Sequence, residues 1–411
     1  MRITILTLGS RGDVQPFVAL GIGLKQVGHQ VTVCTSDRFR QFITDYGLNY
    51  AYMNDDLINL IDTDEGRAAI ESKGNPFRLL QQVKPIIRRS LDEAWAAAQG
   101  AEAIIYHPKA LSGYHIAEKL EIPGFMSLPL PLYTPTTAFP CPIFPNLKLA
   151  GWYNKLTYQL LPLLTAPYLD VINQWRQECL DLPRRSWMDS ELIRSDGRPV
   201  PVFYSYSSHV IPRPNDWPDT TRATGYWFLD RPCDFSPPPA LVDFLTAGKP
   251  PVCIGFGSMT GRNPEQLTEI VLAALKQTRQ RGILLTGWGG LSNADLPDEV
   301  FKLESIPHDW LFPQVAAIVH HGGAGTTAAV LRAGVPSIIV PFFGDQPFWG
   351  QRVAQLGVGS KPIPKKALTV ERLAAAIEMA VGDEEMRDRA AALGQKIRAE
   401  DGVKEAVKVF H

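Results

Sequence analysis

The stretch AAIVHHGGAGTTAAVLRAGVPSIIVPFFGDQ, Ala316 to Gln346, decides the fold. Its first apolar run, Ala316 to Val319, reads as a buried strand. Two histidines and a glycine-rich turn follow, His320, His321, Gly322, Gly323, Ala324 and Gly325. Thr326 and Thr327 open an Ala/Leu-rich helix, which Gly334 stops two residues before Pro336. A second strand, Ser337 to Val340, runs into an acidic loop that ends in Asp345 and Gln346. Strand, glycine turn and helix N-terminus together bind phosphate, because free N–H groups and the positive end of the helix dipole face the ligand. Glycine lets the backbone come close to the anion. The stretch reads as the binding site of a nucleotide diphosphate.

Working outward, the chain has 411 residues, more than one ordinary core takes, so two domains are expected. Hydrophobic residues at 45% and charged residues at 20% describe a globular protein. A formal net charge of -1 leaves no electrostatic footprint for nucleic acid. No apolar run reaches the roughly 18 residues that a membrane-spanning helix needs. MRITILTLGS already reads as a strand and lacks the apolar core and cleavage site of a signal peptide. The expectation is a cytoplasmic protein that starts at Met1, with room for peripheral membrane contact. Cys34, Cys141, Cys179, Cys233 and Cys253 are scattered, odd in number and without CxxC spacing, so they read as reduced thiols.

The same βα pattern appears at the N-terminus. Ile3 to Leu8 is a strand, GSRGDVQP (Gly9 to Pro16) a loop, Phe17 to Val27 a helix and Val31 to Ser36 the next strand. Parallel α/β sheets bind ligands at the carboxyl ends of their strands, which is where Gly9 to Pro16 lies. The loop carries Gly9 and Gly12 but no GxGxxG fingerprint. Further units place a helix at Phe77 to Ala98 and a strand at Ala103 to Tyr106, followed by His107 and Pro108. Leu128 to Gly151 is dense in proline and apolar residues. It reads equally as an irregular loop packed on its domain and as an apolar wall around a lipophilic ligand. Tyr153 to Gln177 is an apolar helix or helix pair that continues the segment. Asp230 to Pro239 looks like an interdomain linker, after which the pattern restarts at Pro251. The expected boundaries are a first domain over 1–232, a linker over 233–248, a second domain over 249–390, and a C-terminal helical segment over 391–411 that crosses back to the first domain.

Seven motifs now stand in order: GSRGDVQP, GFGSM, TGWGGL, IPHDWLFPQ, HHGGAGTT, RAGVPSIIVPFFGDQPFWGQRV and a terminal EDGV helix. This set resembles the bacterial and fungal sterol glucosyltransferase group and, close behind it, the glycopeptide-antibiotic glycosyltransferases. Both belong to the nucleotide-sugar-dependent GT-B superfamily. The resemblance covers the whole chain and is most specific in its C-terminal half. It implies an α/β protein of two Rossmann-like domains facing across a central cleft. It also implies a UDP-sugar as co-substrate, no further cofactor, no metal, and a monomer or weak dimer.

The resemblance assigns roles to residues. His321 contacts the diphosphate, with Gly323, Ala324, Gly325 and Thr326 as donors. Fixed N–H dipoles suit a leaving group whose charge grows as the glycosidic bond breaks. The plain alternative is a capped helix beside a buried histidine. Ser258, after Gly255 and Gly257, meets the phosphate too, though a simple strand-to-helix turn explains those glycines nearly as well. Trp288 and the backbone near Ile306 and Pro307 fall where the family holds the base, and Ser305 replaces the stacking tryptophan of plant relatives. Asp345 and Gln346 resemble the acid–amide pair that grips sugar hydroxyls. Ser10 and Gly12 belong to the loop that faces the donor. Asp13 is the expected catalytic base, its ordinary role being an N-cap for a helix starting near Pro16. His107 is a possible second titrating group and reads more simply as a satisfied histidine near the core. His320 points the other way from His321 and reads as structural. Pro131, Tyr133, Phe139 and Phe144 are the expected acceptor contacts. The run Asp62-Thr63-Asp64 looks like a metal motif of a different glycosyltransferase architecture and is taken as coincidence.

The expected activity is inverting transfer of a hexose, chiefly glucose, from a UDP-sugar to a hydroxyl of a sterol, terpenoid or polyketide. Three rivals stand beside it: a dTDP-sugar transferase tailoring a secondary metabolite, a non-catalytic lipid- or nucleotide-binding protein on the same fold, and a GT-B epimerase.

Overall fold

Each half of the chain repeats one step: a short β-branched strand, then a helix that carries the chain back to start a parallel neighbour. The computed structural model describes residues 1–61, 76–147, 149–232, 234–256, 264–285 and 296–410. They divide into two units. The first comprises Met1–Ser208, Pro212–Leu229 and Asp401–His411, and the second His209–Ile211 and Asp230–Glu400.

In the first unit the strands are β1 (Arg2–Leu6), β2 (Gln30–Thr35), β3 (Asn49–Tyr52), β4 (Ala103–Tyr106), β5 (Gly124–Leu128), β6 (Val202–Tyr204) and β7 (Thr221–Ala223). They form one parallel sheet in the order β3-β2-β1-β4-β5-β6-β7. β1 and β4 are buried at nearly every position, as strands covered by helices on both faces must be. Val14, Phe17, Val18 and Leu20 of helix Arg11–Gln26 pack onto Ile3, Ile5 and Val33. Each such fully buried side chain contributes about 1.5–3 kcal/mol.

In the second unit β8 (Val252–Gly255), β9 (Gly282–Leu285), β10 (Val300–Leu303), β11 (Ala317–His320) and β12 (Ser337–Ile339) form a parallel sheet in the order β10-β9-β8-β11-β12. Helices Val370–Gly382 and Glu384–Arg398 close over it through Leu373, Ile377 and Met386. Both sheets reverse direction beside their first strand. The chain leaves β1 toward β2 and returns to the other side at β4; it leaves β8 toward β9 and returns at β11. Loops at the carboxyl ends of such a reversal diverge and open a crevice, the general ligand position of this architecture.

Three expectations are corrected. The first helix starts at Arg11 rather than Phe17, with Ser10 as its N-cap and Pro16 inside it. The stretch 233–248 is more than a linker, because Pro239–Thr246 is a helix whose Leu241 is fully buried with Cys253 and Ile283. Proline at the first helical position starts a helix as readily as it marks a linker. The return to the first unit begins at Asp401 rather than 391, since helix Glu384–Arg398 lies wholly in the second unit. Helix Gly402–Val407 then packs on helix Arg11–Gln26, where a Cβ on Gly23 would come 2.4 Å from Val403. Phe410 ends against Phe125, ring centroids 4.5 Å apart. Cys34, Cys141, Cys179 and Cys253 are free thiols, and among the described residues no helix is long and apolar enough to cross a membrane.

Candidate active site

In the second unit, β11 delivers His320 and His321 to the crevice. Strand alternation sends the two rings to opposite sides. His320 is fully buried, its Nε2 2.8 Å from Ser337 Oγ and its Nδ1 accepting from Gly322 N–H at 3.1 Å. That ring is a strut between β11, β12 and the turn. Among the described residues His321 has no such anchor, and its buried Nδ1 has no hydrogen-bond partner. Burial pushes its pKa down to about 4, with His308 adding to the shift, so the ring is neutral near pH 7. The other ring nitrogen lies over Gly323, where a Cβ would come within 2.5 Å of Nε2.

The turn needs its glycines. Gly322 has φ +90, a region L-residues avoid, and a Cβ there would stand 2.6 Å from Ile339 Cγ2. Gly323 is the N-cap of helix Ala324–Ala333. The first intrahelical bond runs from Thr327 N–H to Gly323 C=O at 2.9 Å, so the N–H groups of Ala324, Gly325 and Thr326 precede it. The helix closes on Gly334 in the left-handed region.

Gln346 meets this turn directly, and Asp345 precedes it. The Cβ that Gly322 lacks would sit 3.2 Å from Gln346 O. Asp345 caps helix Gln346–Leu356 and its Oδ2 accepts from Trp349 Nε1–H at 3.0 Å. Gln346 is buried, and its Oε1 accepts from the N–H groups of Phe342 (2.7 Å) and Phe343 (3.2 Å). Its amide therefore shapes the loop that carries Asp345. A cavity of about 160 Å³ opens on the other side of the turn, lined by Gly255, Leu285, Ser305, Ile306, His308 and Thr326 among others. Apolar walls with a few polar groups suit a flat heterocycle. Ser258 and Trp288 lie outside the described residues, as do Asp62 to Asp64.

In the first unit, the β1–β4 reversal brings two loops together. Asp13 is the third residue of helix Arg11–Gln26, and its Oδ2 accepts from Ser10 N–H (2.8 Å) and Ser10 Oγ–H (3.1 Å). The carboxylate folds over Gly9, φ +141, where a Cβ would come 2.2 Å from Oδ2. Oδ1 accepts from Lys109 Nζ at 2.5 Å. Burial raises the Asp13 pKa, but Lys109 and the Ser10 backbone outweigh it, and the net value falls below the ordinary carboxylate range. Asp13 is thus ionised at any working pH. His107 is buried, with its Nδ1 accepting from Lys109 N–H at 3.1 Å. Burial, then the Lys109 charge, push its pKa down to about 3, so it stays neutral. Gly12 follows Ser10 in the first helical turn.

Of the expected acceptor contacts, Pro131 is buried and Tyr133 is tied to the sheet, its N–H donating to Tyr204 Oη at 3.2 Å. Phe139 meets Trp217 edge-on, ring centroids 6.4 Å apart. Thr136 and Thr137 hold Asp216. This first half of the proline-rich segment is packed on its domain. Phe144 lies in the more exposed second half, where Ile143 and Leu147 face solvent.

Comparison with known proteins fits this geometry. Residues 3–139 match the glycosyltransferase family 28 N-terminal domain, and residues 284–410 match the C-terminal domain of erythromycin biosynthesis protein CIII-like proteins. The chain is 39% identical over 421 residues to sterol 3-beta-glucosyltransferase UGT80A2 of Arabidopsis thaliana, covering 100% of this chain and 65% of that protein. It is 40% identical over 424 residues to the sterol 3-beta-glucosyltransferase of Candida albicans, covering 100% of this chain and 27% of that one. Along its whole length the chain is thus similar to sterol 3-beta-glucosyltransferases, and its N-terminal third matches a glycosyltransferase domain. Solved structures agree on the fold: the glycotransferase of kitacinnamycin (TM-score 0.75, 18% identity, 100% of this chain and 98% of that one) and the calicheamicin glycosyltransferase CalG4 (TM-score 0.72, 18%, 100% and 97%). The chain spans about two-thirds of the plant relative and under a third of the fungal ones.

The structure brings His321, Gly323, Ala324, Gly325, Thr326, Asp345, Gln346 and Ile306 together in one unit, and Asp13, Ser10 and Gly12 in the other. Lys109 is the residue that sequence reasoning missed. Its partner Asp13 is 96 positions away, and only the pairing of β1 with β4, Leu6 opposite Tyr106, makes them neighbours.

Proposed function

We propose that this chain transfers glucose from UDP-glucose to the hydroxyl of a sterol, with inversion at the anomeric carbon and without a metal ion. The observation that carries the reading is the identity of about two residues in five, along the full chain, with proteins named sterol 3-beta-glucosyltransferases. The site chemistry supports it. In the donor half, the first N–H groups of helix Ala324–Ala333 and the ring of His321 receive the diphosphate, whose negative charge grows as the anomeric C–O bond breaks. Asp345 takes the sugar hydroxyls as an acceptor, held in place by Trp349. The uracil ring enters the cavity at Ile306 and Ser305.

The acceptor half supplies the base. As the sterol oxygen attacks, its proton passes to Asp13, the new C–O bond forms at the anomeric carbon and the electron pair of the old bond leaves with UDP. Asp13 is suited to this because it is ionised and fixed from one side by Ser10. Oδ1 is the oxygen that takes the proton, and the acceptor hydroxyl replaces Lys109 there.

The test is direct. The protein is incubated in chelator with UDP-glucose and, in parallel, dTDP-glucose, each with cholesterol or ergosterol, and the products are read by mass spectrometry. A steryl glucoside formed from UDP-glucose with chelator present is the expected result. Product from dTDP-glucose alone would replace the donor, and UDP release with no steryl glucoside would remove the sterol.

A further inference from the structure

Eight of the seventeen large hydrophobic side chains exposed among the described residues fall between Ile143 and Leu164. Scattered surface leucines need no explanation, but this concentration does. Its helix, Gly151–Gln159, is turned the unusual way round. The face toward the protein is fixed by hydrogen bonds. Thr157 Oγ1 accepts from Cys141 N–H at 2.8 Å, Asn154 Nδ2–H donates to Thr137 O at 2.7 Å, and buried Tyr158 donates to Pro131 O at 3.5 Å. The outward face carries Trp152, 65% exposed, and Leu156. Leu163 and Leu164 follow in the next turn, Pro162–Thr165, at 50% and 57% exposed, and Leu147 and Leu149 precede it at 53% and 47%. An amphipathic helix on a water-facing surface shows its polar side outward. This one shows the apolar side.

The charge pattern says what the face meets. From Ile122 to Leu169 the chain contains Lys148 and Lys155 and no Asp or Glu at all. The nearest carboxylate to Lys155 is Asp216, 3.8 Å from its ammonium and outside the segment. Apolar side chains beside Lys155, in a segment whose sequence has no carboxylate, match the surface of a bilayer that contains anionic headgroups. A tryptophan beside a tyrosine, Trp152 and Tyr153, is the pairing that settles at headgroup depth, one edge apolar and one edge wet. A second copy of the chain is a poorer occupant, because two such faces together would oppose lysine to lysine.

We propose that Leu147 to Leu164 is a monotopic membrane-docking face, with Trp152, Leu163 and Leu164 inserting among the headgroups of an anionic bilayer. The face belongs to the same unit as Asp13 and the proline-rich segment, so a lipophilic acceptor dissolved in that bilayer would be presented to the unit that carries the base. The docking does not depend on the transfer reaction.

Flotation of the full chain with vesicles of equimolar phosphatidylcholine and phosphatidylserine tests it. The wild type is expected to rise with the vesicles. The triple variant Trp152→Ser, Leu163→Ser, Leu164→Ser is expected to lose about tenfold or more in partitioning, with an unchanged melting temperature and unchanged UDP binding by calorimetry. Trp152→Phe keeps the apolar contact, so it should still float but lose the part of the fluorescence that brominated lipid quenches in the wild type. The proposal is overturned if the wild type stays at the bottom of the gradient. It is equally overturned if the triple variant floats as well as the wild type, or if light scattering shows a lipid-independent dimer that the triple variant abolishes.

Discussion

Gly323→Ala isolates the contribution of His321 to the donor site. The backbone at Gly323 has φ -61 and ψ 146, which alanine adopts without strain. The added methyl, however, would come within 2.5 Å of His321 Nε2 and 3.2 Å of its Cδ2, so the ring must swing away. Swinging costs the fold little, because His321 Nδ1 has no hydrogen-bond partner to break. Replacing glycine by alanine at an N-cap costs about 1 kcal/mol or less. The ligand loses more. A hydrogen bond to a charged group is worth about 1.5–3 kcal/mol, which is about ten- to a hundredfold in Kd. Calorimetric titration of UDP should therefore show that fall for Gly323→Ala, with a change in melting temperature of only a few degrees. His321→Ala should show a similar fall. The double variant should be no weaker than the worse single one, since both remove the same contact. UDP affinity within about twofold of wild type for Gly323→Ala, or additive losses in the double variant, would refute the assignment of His321 to the diphosphate.

Three further outcomes follow from the same geometry. Asp13→Asn should cut turnover by about 10²–10⁴-fold while UDP binding measured by calorimetry is kept; turnover within a few-fold of wild type would remove Asp13 as the base. Lys109→Ala should shift the acid limb of the rate profile upward, because the cation that holds the Asp13 pKa low is gone, whereas Lys109→Arg should restore the wild-type limb. An unchanged limb in Lys109→Ala would show that the ion pair is incidental. Stability should fall as pH drops from about 6.5 toward 4, since His107 and His321 have folded pKa values of about 3 and about 4, and buried His115 and His320 are lowered too. The unfolded chain binds more protons than the folded one in that window, each such group adding up to about 1.4 kcal/mol per pH unit. Asp13 acts in the same direction at lower pH, its contribution being lost as the pH falls below the ordinary carboxylate range. Melting curves between those limits should flatten in His321→Ala, and an equal slope in the variant would contradict the burial argument.

The strand, glycine turn and helix around His321 were legible in the sequence because their cause is local. A β-branched run, two glycines and an Ala/Leu helix fix a turn within a dozen residues, and strand alternation separates buried His320 from His321. The helix start at Arg11 was misplaced for an equally local reason. Pro16 resembles a first-turn proline, yet the capping box Ser10-x-x-Asp13 sits upstream and outweighs it. Lys109 was out of reach for a different reason. Nothing within ten residues of it distinguishes it from a solvated lysine, and the information lies in strand order. The proline-rich segment carried too little periodicity to divide. Its first half is bound down through Tyr204, Trp217 and Asp216, three residues that arrive from the far edge of the sheet.

Sequence reading set helix cap against catalytic base for Asp13, but the carboxylate has two oxygens and they do different work. Oδ2 is committed to Ser10, which anchors the start of helix Arg11–Gln26 and holds the side chain in one rotamer over Gly9. Oδ1 accepts from the Lys109 ammonium, and that lysine side chain is 57% exposed. The Asp13 end of the pair is only 16% exposed, so an arriving hydroxyl must replace the Lys109 contact with its own hydrogen bond to Oδ1. Lys109 keeps the carboxylate ionised until the hydroxyl arrives, and the cap keeps it oriented. Even with Lys109 displaced, a carboxylate is a weak base toward a free alcohol. The alcohol proton must then become acidic as the anomeric C–O bond forms, so proton transfer should run late, with the bond to the departing UDP already stretched. Losing the Ser10 backbone N–H should therefore lower turnover by loosening Oδ2, even though Ser10 touches no proton in flight. Ser10→Ala leaves the backbone N–H in place and should cost little, and a large loss in that variant would mean that the hydroxyl, rather than the helix start, orients the base.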